Sequence, residues 1–414
     1  MLETMPRTAE TPVLEDFHPY SDQFRQDPYP HYRRILSMGG PVYWDYMEAH
    51  VVARHADATA VLADPRLTVE PPPAVAALLA SVVPAALLPM QRTMLFADPP
   101  DHTRLRALVR HAFTPVALDA AMARGREVAC AVLDDLEPGR QFDVVDDLAY
   151  PVALRIIGET MGVPAADLEM LKPWSQAMVP AADIPSRPGA VEGATEAYLG
   201  FDHYFGALSE RLRVSGGQGL LMPLLAAEAE GVITQAELHA MAALIFVSGH
   251  DTLVGLIANA LNTLLAHPDQ FDLLRSTPEL AGQAANEVLR FESPLQLATA
   301  GGGRWAAAPI EIAGRLIPEH SRVLTLVAAA NRDPHVYQDP DHFDITRPGI
   351  RHLALGHGLH YCVGAALVKA QGRMVLEELA RRQLQFEPVS DRQEWLPVFI
   401  QRRLIRLDLR VTGR

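Results

Sequence analysis

The stretch Leu355-Gly356-His357-Gly358-Leu359-His360-Tyr361-Cys362-Val363-Gly364 decides how this chain is read. Its glycines permit tight turns and close backbone approach, and a helical pattern begins directly after it, at Ala365. Cys362 therefore stands just before a helix N-terminus, where converging backbone N–H groups stabilise a thiolate, free or metal-bound. Two other readings stay open at this level. Cys362 could be an inert buried cysteine beside a glycine loop, or a zinc ligand together with the nearby histidines. The zinc reading is weak, because no second cysteine-rich ligand pair exists in the chain.

Four further patterns lie upstream. Ala329-Ala330-Asn331-Arg332-Asp333-Pro334 is followed by Asp339-Pro340-Asp341-His342-Phe343-Asp344 and then Arg347. Glu287-Val288-Leu289-Arg290 sets a carboxylate and a guanidinium side by side on a helix, in most proteins an ordinary surface pair. At 101–106, Asp101-His102-Thr103-Arg104-Leu105-Arg106 opens a helix on which His102 and Arg106 share a face; alone, this reads as a solvated basic face. The fourth pattern is a long helix predicted over 234–265. It starts at the capping box Thr234-Gln235-Ala236-Glu237 and holds no proline, so at ~1.5 Å per residue it spans about 45 Å. Apolar residues cover nearly its whole circumference, which places it in the middle of a large domain. Yet its centre reads Ser248-Gly249-His250-Asp251-Thr252. A mid-helix threonine often only back-bonds to a carbonyl one turn earlier. A polar centre with a helix-weakening glycine in an otherwise apolar helix is nevertheless a conflict, and such conflicts mark sites.

Composition bounds the rest. The chain has 414 residues, 49% hydrophobic and 21% charged, with a net charge of −14 and two cysteines, Cys130 and Cys362. That apolar content excludes disorder, and the negative charge argues against a general nucleic-acid binder. Two distant cysteines make no secreted disulfide framework, which favours a reducing cytoplasm. The N-terminus has no basic segment followed by an apolar core, so no signal peptide is expected. The longest apolar stretch, 74–90, is interrupted by Ser81, Pro84 and Pro89 and falls short of the ~20 residues a spanning helix needs, so no membrane association is expected. Neither repeats nor low-complexity linkers divide the chain, and a mainly helical single domain, 1–414, with a minor sheet is predicted. Short strands are expected at 42–46, 49–53, Ile310–Ile312 and 323–327. The proline-interrupted spans 71–90 and 179–190 are expected to be long loops.

Together the five patterns resemble those of the cytochrome P450 family, whose cysteine loop reads Phe-Gly-x-Gly-x-His-x-Cys-x-Gly. Gly356, Gly358, His360, Cys362 and Gly364 match, and Leu355 replaces the phenylalanine. The resemblance runs from about Asp16 to Arg410 and implies the P450 fold: mainly α with a minor β-sheet, haem b lying between the long helix and the cysteine loop. It implies that Cys362 is the axial thiolate and metal ligand. Gly364 is implied to lie against the haem as well, and His102, Arg106, Arg304 and His360 to bind the propionates. Glu287, Arg290 and Arg347 become a buried structural ion network. Gly249 is implied to leave room for oxygen, Thr252 to supply a hydroxyl, and Asp251 to relay protons. Ser248 stands where alanine or glycine is usual. The implied substrate pocket includes Leu244, Val247, Ser248, Leu297 and Ala300. Val75, Leu78, Leu79, Val82, Val83, Leu87 and Leu88 join it from the first loop.

The implied function is a haem-thiolate monooxygenase of secondary metabolism. It would use O2 to hydroxylate or epoxidise a mid-sized, mainly apolar small molecule. No flavin or dinucleotide fingerprint is present, so the resemblance points to a ferredoxin and ferredoxin reductase as electron donors. Arg104, Arg110, Arg351 and His352 are either a local basic dock for that partner or solvated surface. A peroxygenase or thiolate-haem isomerase, and a haem sensor without turnover, are the competing readings. Asp251 and Thr252 weigh against both.

Overall fold

The computed structural model describes residues 11–183, 186–298 and 302–413. Helices carry most of the chain. Those that position the site are α1 (Pro73–Val82), α2 (Asp101–Val109), α3 (Tyr150–Met161), α4 (Leu168–Met178), α5 (Gln235–Ala266), α6 (Ala281–Phe291) and α7 (Ala365–Arg381).

Helix α5 begins where its capping box sets it. The Glu237 N–H donates to Thr234 Oγ1 at 3.2 Å, and the Thr234 N–H donates to the Glu237 carboxylate at 2.8 Å. Its 32 residues are apolar on every side because α3, α4, α6 and α7 pack around it. Each fully buried leucine or isoleucine contributes roughly 1.5–3 kcal/mol, and Ile245, Leu253, Leu256, Ile257 and Leu261 are all buried here. Two glycines let neighbours approach the helix. A Cβ on Gly249 would strike Ile157 of α3, with Cγ1 only 2.9 Å away. A Cβ on Gly255 would meet Arg403 Cβ at 3.0 Å and Pro294 Cβ at 3.2 Å.

Five short strands form one sheet: β1 (Val42–Trp44), β2 (Ala49–Val52), β3 (Leu67–Thr68), β4 (Arg304–Ala306) and β5 (Arg322–Thr325). Their order is β1-β2-β5-β4-β3, and only the β2–β5 pairing is parallel, from Ala49 opposite Arg322 to Val52 opposite Thr325. Ile310–Ile312 pairs with Arg315–Ile317 as a separate hairpin. Near the C-terminus, β6 (Leu404–Arg406) carries the chain back against α5. An aromatic core of Phe17, Phe24, Trp44 and Phe399 ties the N-terminal segment to this C-terminal region, with Phe17 centred 5.0 Å from Trp44 and 5.7 Å from Phe399.

The span 71–90 corrects the expectation of a loop. Pro73 occupies the first turn of α1, where a missing N–H costs nothing, and the alanines and leucines after it are good helix formers. Ala85–Arg92 then continues as 3-10 turns. Leu78 and Val82 are exposed, at 43% and 65%, while Leu87 packs against the main core. In 179–190 the chain makes a short 3-10 turn at Val179–Ala182, and the Asp183 carboxylate accepts the backbone N–H groups of Phe399 and Ile400 at 2.9–3.0 Å.

Candidate active site

The cysteine loop takes its shape from Gly358. At φ +68° it adopts a conformation that side chains disfavour, and a Cβ there would lie 3.1 Å from Ala63 Cα and against the Leu62 carbonyl. The loop closes where the Cys362 N–H donates to the Leu355 carbonyl at 2.9 Å, and Ala365 N–H to Cys362 carbonyl at 3.2 Å leads into α7. Leu355 itself is buried in the main core. Burial pushes the Cys362 thiol upward, while the Gly364 N–H and the Arg106 guanidinium pull it back toward the thiolate. A metal cation held by Sγ would supply the remaining stabilisation.

Beside the loop stands a basic cluster. His102 of α2 is 1% exposed and its ring centre lies 4.4 Å from that of His360. Arg304 is buried on β4, and Arg106 donates to the Tyr361 carbonyl at 2.6 Å. Burial lowers all four groups, His360 to about 3, and each histidine is lowered further by neighbouring arginines. Asp98 opposes this for His102 and Arg304, but its oxygens already accept the Val69 and Glu70 N–H groups. Both nitrogens of His102 and Nε2 of His360 are buried without a hydrogen-bond partner. Buried donors without acceptors call for an explanation. An anion with two carboxylates supplies it, through charge-assisted hydrogen bonds. The donor set therefore fits a haem, with Cys362 toward its iron and these four groups toward its propionates.

The Glu287 side chain is gripped from three directions. Arg290 donates to both carboxylate oxygens at 2.7 Å, Arg347 Nε donates at 3.2 Å and the Asp344 N–H at 3.1 Å. Arg290 also donates to the carbonyls of Asn331, Pro340 and His342. The three residues named from the sequence thus meet, and they tie α6 to the segment that leads into the cysteine loop.

The centre of α5 presents two different faces. Leu244, Ser248 and Thr252, four apart, stack along one of them. Ser248 is exposed and Val247 and Thr252 are half-buried in a helix otherwise almost wholly covered, so this face is the open one. Ser248 Oγ donates to the Leu244 carbonyl at 2.6 Å, and Thr252 Oγ1 lies 3.4 Å from the Ser248 carbonyl. Asp251 is buried instead, with Oδ1 2.9 Å from Arg403 Nη2. His250 is also buried. Its Nδ1 pairs with the Phe246 carbonyl at 2.6 Å and its Nε2 with the Ser175 hydroxyl at 3.1 Å, the pattern of a neutral ring.

The structure adds to several expectations. A Cβ on Gly249 would be blocked by Ile157, so this glycine also serves the α5–α3 contact. Leu297 is 2% exposed and packs in the aromatic core. Ala300 lies outside the described residues. Arg104 is committed to Asp101 at 2.9 Å and Glu237 at 2.7 Å, and the His352 ring nitrogens are buried, with burial lowering the ring to about 4. Of the four basic groups considered for docking, Arg110 and Arg351 remain exposed.

Sequence reasoning missed Arg403, Tyr150, Gly255 and Asn259. The signal was there in part: Asp251, Gly255 and Asn259 recur every fourth residue on one face of an apolar helix. Their partner, Arg402-Arg403, is an isolated charged pair between Ile400 and Leu404, about 150 residues away.

Known proteins resemble this chain in sequence and fold. The cytochrome P450 family model matches residues 279–399. The cytochrome P450 monooxygenase PikC of Streptomyces venezuelae is 34% identical over 390 residues, covering 92% of this chain and 90% of PikC. The crystal structure of CalO2 superposes with a TM-score of 0.89 at 32% identity, covering 97% of this chain and 100% of that one. The tirandamycin C-bound P450 monooxygenase TamI superposes with a TM-score of 0.82 at 31% identity, covering 94% of this chain and 99% of its own.

Proposed function

Since the chain belongs to the cytochrome P450 family, we propose that it is a single-domain haem-thiolate monooxygenase that hydroxylates or epoxidises a mid-sized, mainly apolar molecule of secondary metabolism. The single observation that carries the haem assignment is the basic cluster with orphaned buried ring nitrogens beside the cysteine loop. When bound, haem supplies the reductive activation of O2, with the thiolate favouring O–O cleavage.

The chain's own residues then have separable tasks. Cys362 ligates from the loop, where the Gly364 N–H and Arg106 favour its anionic form. His102, Arg106, Arg304 and His360 hold the two carboxylates. Leu244 and Val247 give the open face of α5 its apolar part, and Ser248 adds one hydroxyl to it. Thr252 presents its hydroxyl on the same face, where it can donate toward dioxygen. Asp251, one residue earlier but buried, is the group from which protons reach that hydroxyl. The overall stoichiometry requires two electrons and two protons per substrate oxidised, with one oxygen atom leaving as water. The electrons come from a ferredoxin and its reductase, and exposed Arg110 and Arg351 give that partner a local basic contact.

The test is ligation. The dithionite-reduced, carbon monoxide-treated protein is expected to show the red-shifted Soret band of a thiolate complex, and Cys362→Ser to lose it. Retention of the band in Cys362→Ser would mean that Cys130 or another group is the ligand.

A further inference from the structure

Asp251 does not lie on the open face of α5 with Ser248 and Thr252. It lies on the covered side of α5 in a line with Gly255 and Asn259, each one turn further on, and all three meet the C-terminal segment. Gly255 has no side chain, so Arg403 crosses α5 there with its Cβ 3.0 Å from the ideal Cβ position. Asn259 Nδ2 donates to the Arg402 carbonyl at 2.8 Å and fixes that segment one turn beyond. From this crossing the Arg403 side chain reaches back one turn, and Nη2 comes to 2.9 Å from Asp251 Oδ1. The same Nη2 lies 3.3 Å from the Tyr150 hydroxyl. Gln176, an exposed residue of α4, faces the Tyr150 hydroxyl on its other side. Lys172, also on α4, stands 4.4 Å over the Tyr150 ring and pairs with exposed Asp146 at 2.9 Å. The charged and titratable groups facing Asp251 are thus Arg403 from the C-terminal segment, Tyr150 from α3, Lys172 from α4 and His250 on its own helix.

The contact is not a closed one. Neither oxygen of Asp251 has a partner in hydrogen-bonding geometry, and Arg403 Nε has none. Burial pulls the Arg403 guanidinium down, but Asp251 and Tyr150 outweigh it and keep Arg403 charged. Arg403 thus reaches one oxygen of the carboxylate, Oδ1, at 2.9 Å, while Oδ2 is left without a donor.

We propose that Arg403 is the positioning residue of Asp251, holding its carboxylate at the end of a polar line, Gln176–Tyr150–Arg403, that connects the middle of the buried helix with solvent. This rests on the monooxygenase reading, in which Asp251 supplies protons.

The experiment uses haem-loaded protein with a plant-type ferredoxin, its reductase and NADPH, following oxygen consumption in H2O and D2O without added substrate. Positioned proton transfer is typically worth ~10²–10⁴-fold. Arg403→Leu is expected to slow consumption at least roughly tenfold and to enlarge the solvent isotope effect, and Asp251→Asn is expected to do the same. Arg403→Lys should recover most of the rate, and Tyr150→Phe should fall between. A readout independent of turnover is thermal unfolding. Arg403→Leu leaves a buried carboxylate unpaired, so the Arg403→Leu, Asp251→Asn double variant should melt higher than Arg403→Leu alone. If Arg403→Leu misfolds, Arg403→Gln and Tyr150→Phe carry the rate comparison. A slow Asp251→Asn beside a wild-type rate and isotope effect in the Arg403 variants would overturn the proposal and leave the monooxygenase reading standing. So would a double variant that melts no higher than Arg403→Leu. Loss of the thiolate Soret band in the wild type is the separate result that would sink the underlying reading.

Discussion

Two buried carboxylate–guanidinium pairs, Glu287–Arg290 and Asp251–Arg403, share chemistry and burial but differ in how completely they are satisfied. Around Glu287, Arg290 and Arg347 close the carboxylate with side-chain donors and Asp344 adds its N–H, while the remaining Arg290 donors end on carbonyls. Around Asp251 there is one contact, off hydrogen-bond geometry, and an unpartnered Nε on the arginine. Charges taken out of water need every lone pair and N–H engaged if they are to stabilise a fold. The first pair meets that condition and works as a lock on the segment before the cysteine loop. The second does not, and a buried ionisable group left incompletely satisfied marks a candidate functional site.

The largest effect expected from breaking this comparison is on the lock. Glu287→Ala strands the buried Arg290 and should cost about 3–5 kcal/mol, seen in urea unfolding and as poor haem incorporation. Asp251→Asn should cost far less, because its carboxylate makes few directed bonds to lose. Equal losses for the two variants would erase the distinction between lock and working pair.

Next in size is the loss of coupling on the open face of α5. Thr252→Ala should still bind haem and oxygen and consume NADPH, but electrons should leave as hydrogen peroxide. Ser248, exposed one turn earlier on the same face, offers a second hydroxyl, so peroxide per NADPH should rise most in the Ser248→Ala, Thr252→Ala double variant. Wild-type coupling in that double variant would move proton delivery away from this face of α5.

The lock and the working pair also differ in how far sequence could reveal them. Glu287 and Arg290 are three apart on one helix, and the cysteine loop is continuous, so local spacing was enough to bring each together. Helix α5 was legible because its cap is local and its apolar surface continuous. The α3 contact at Gly249 was not legible because a missing side chain looks the same whether a ligand or another helix lies beside it; Ile157 lies beside it here. Helix α1 was hidden by its flanking prolines, which are tolerated at a helix start. The short strands β3, β4 and β6 carry too few residues to show a period. Arg403 was beyond reach because nothing local says which residue of the C-terminal segment will cross a buried helix at Gly255.

His250 sharpens the comparison at its smallest scale, since it lies beside Asp251 yet belongs with the lock in kind. Its ring is satisfied on both sides, by the Phe246 carbonyl and the Ser175 hydroxyl. Burial first, then Arg403 and Lys172, lower its affinity for a proton, against the opposing pull of Asp251 and the Phe246 carbonyl. An unfolded imidazole takes up a proton near pH 6.5, whereas the folded one does so only at lower pH. Below about pH 6.5 the unfolded chain therefore binds more protons, and stability should fall as pH drops through that window. His250→Gln, which keeps a donor and an acceptor but does not titrate, should flatten the pH dependence of urea unfolding between about pH 7 and 5. Ser175→Ala leaves Nε2 without a donor and should cost roughly 1–3 kcal/mol, with oxygen consumption and its solvent isotope effect at wild-type values. An enlarged isotope effect in Ser175→Ala would put His250 in the proton line beside Asp251, and the line would then have a second entrance through α4.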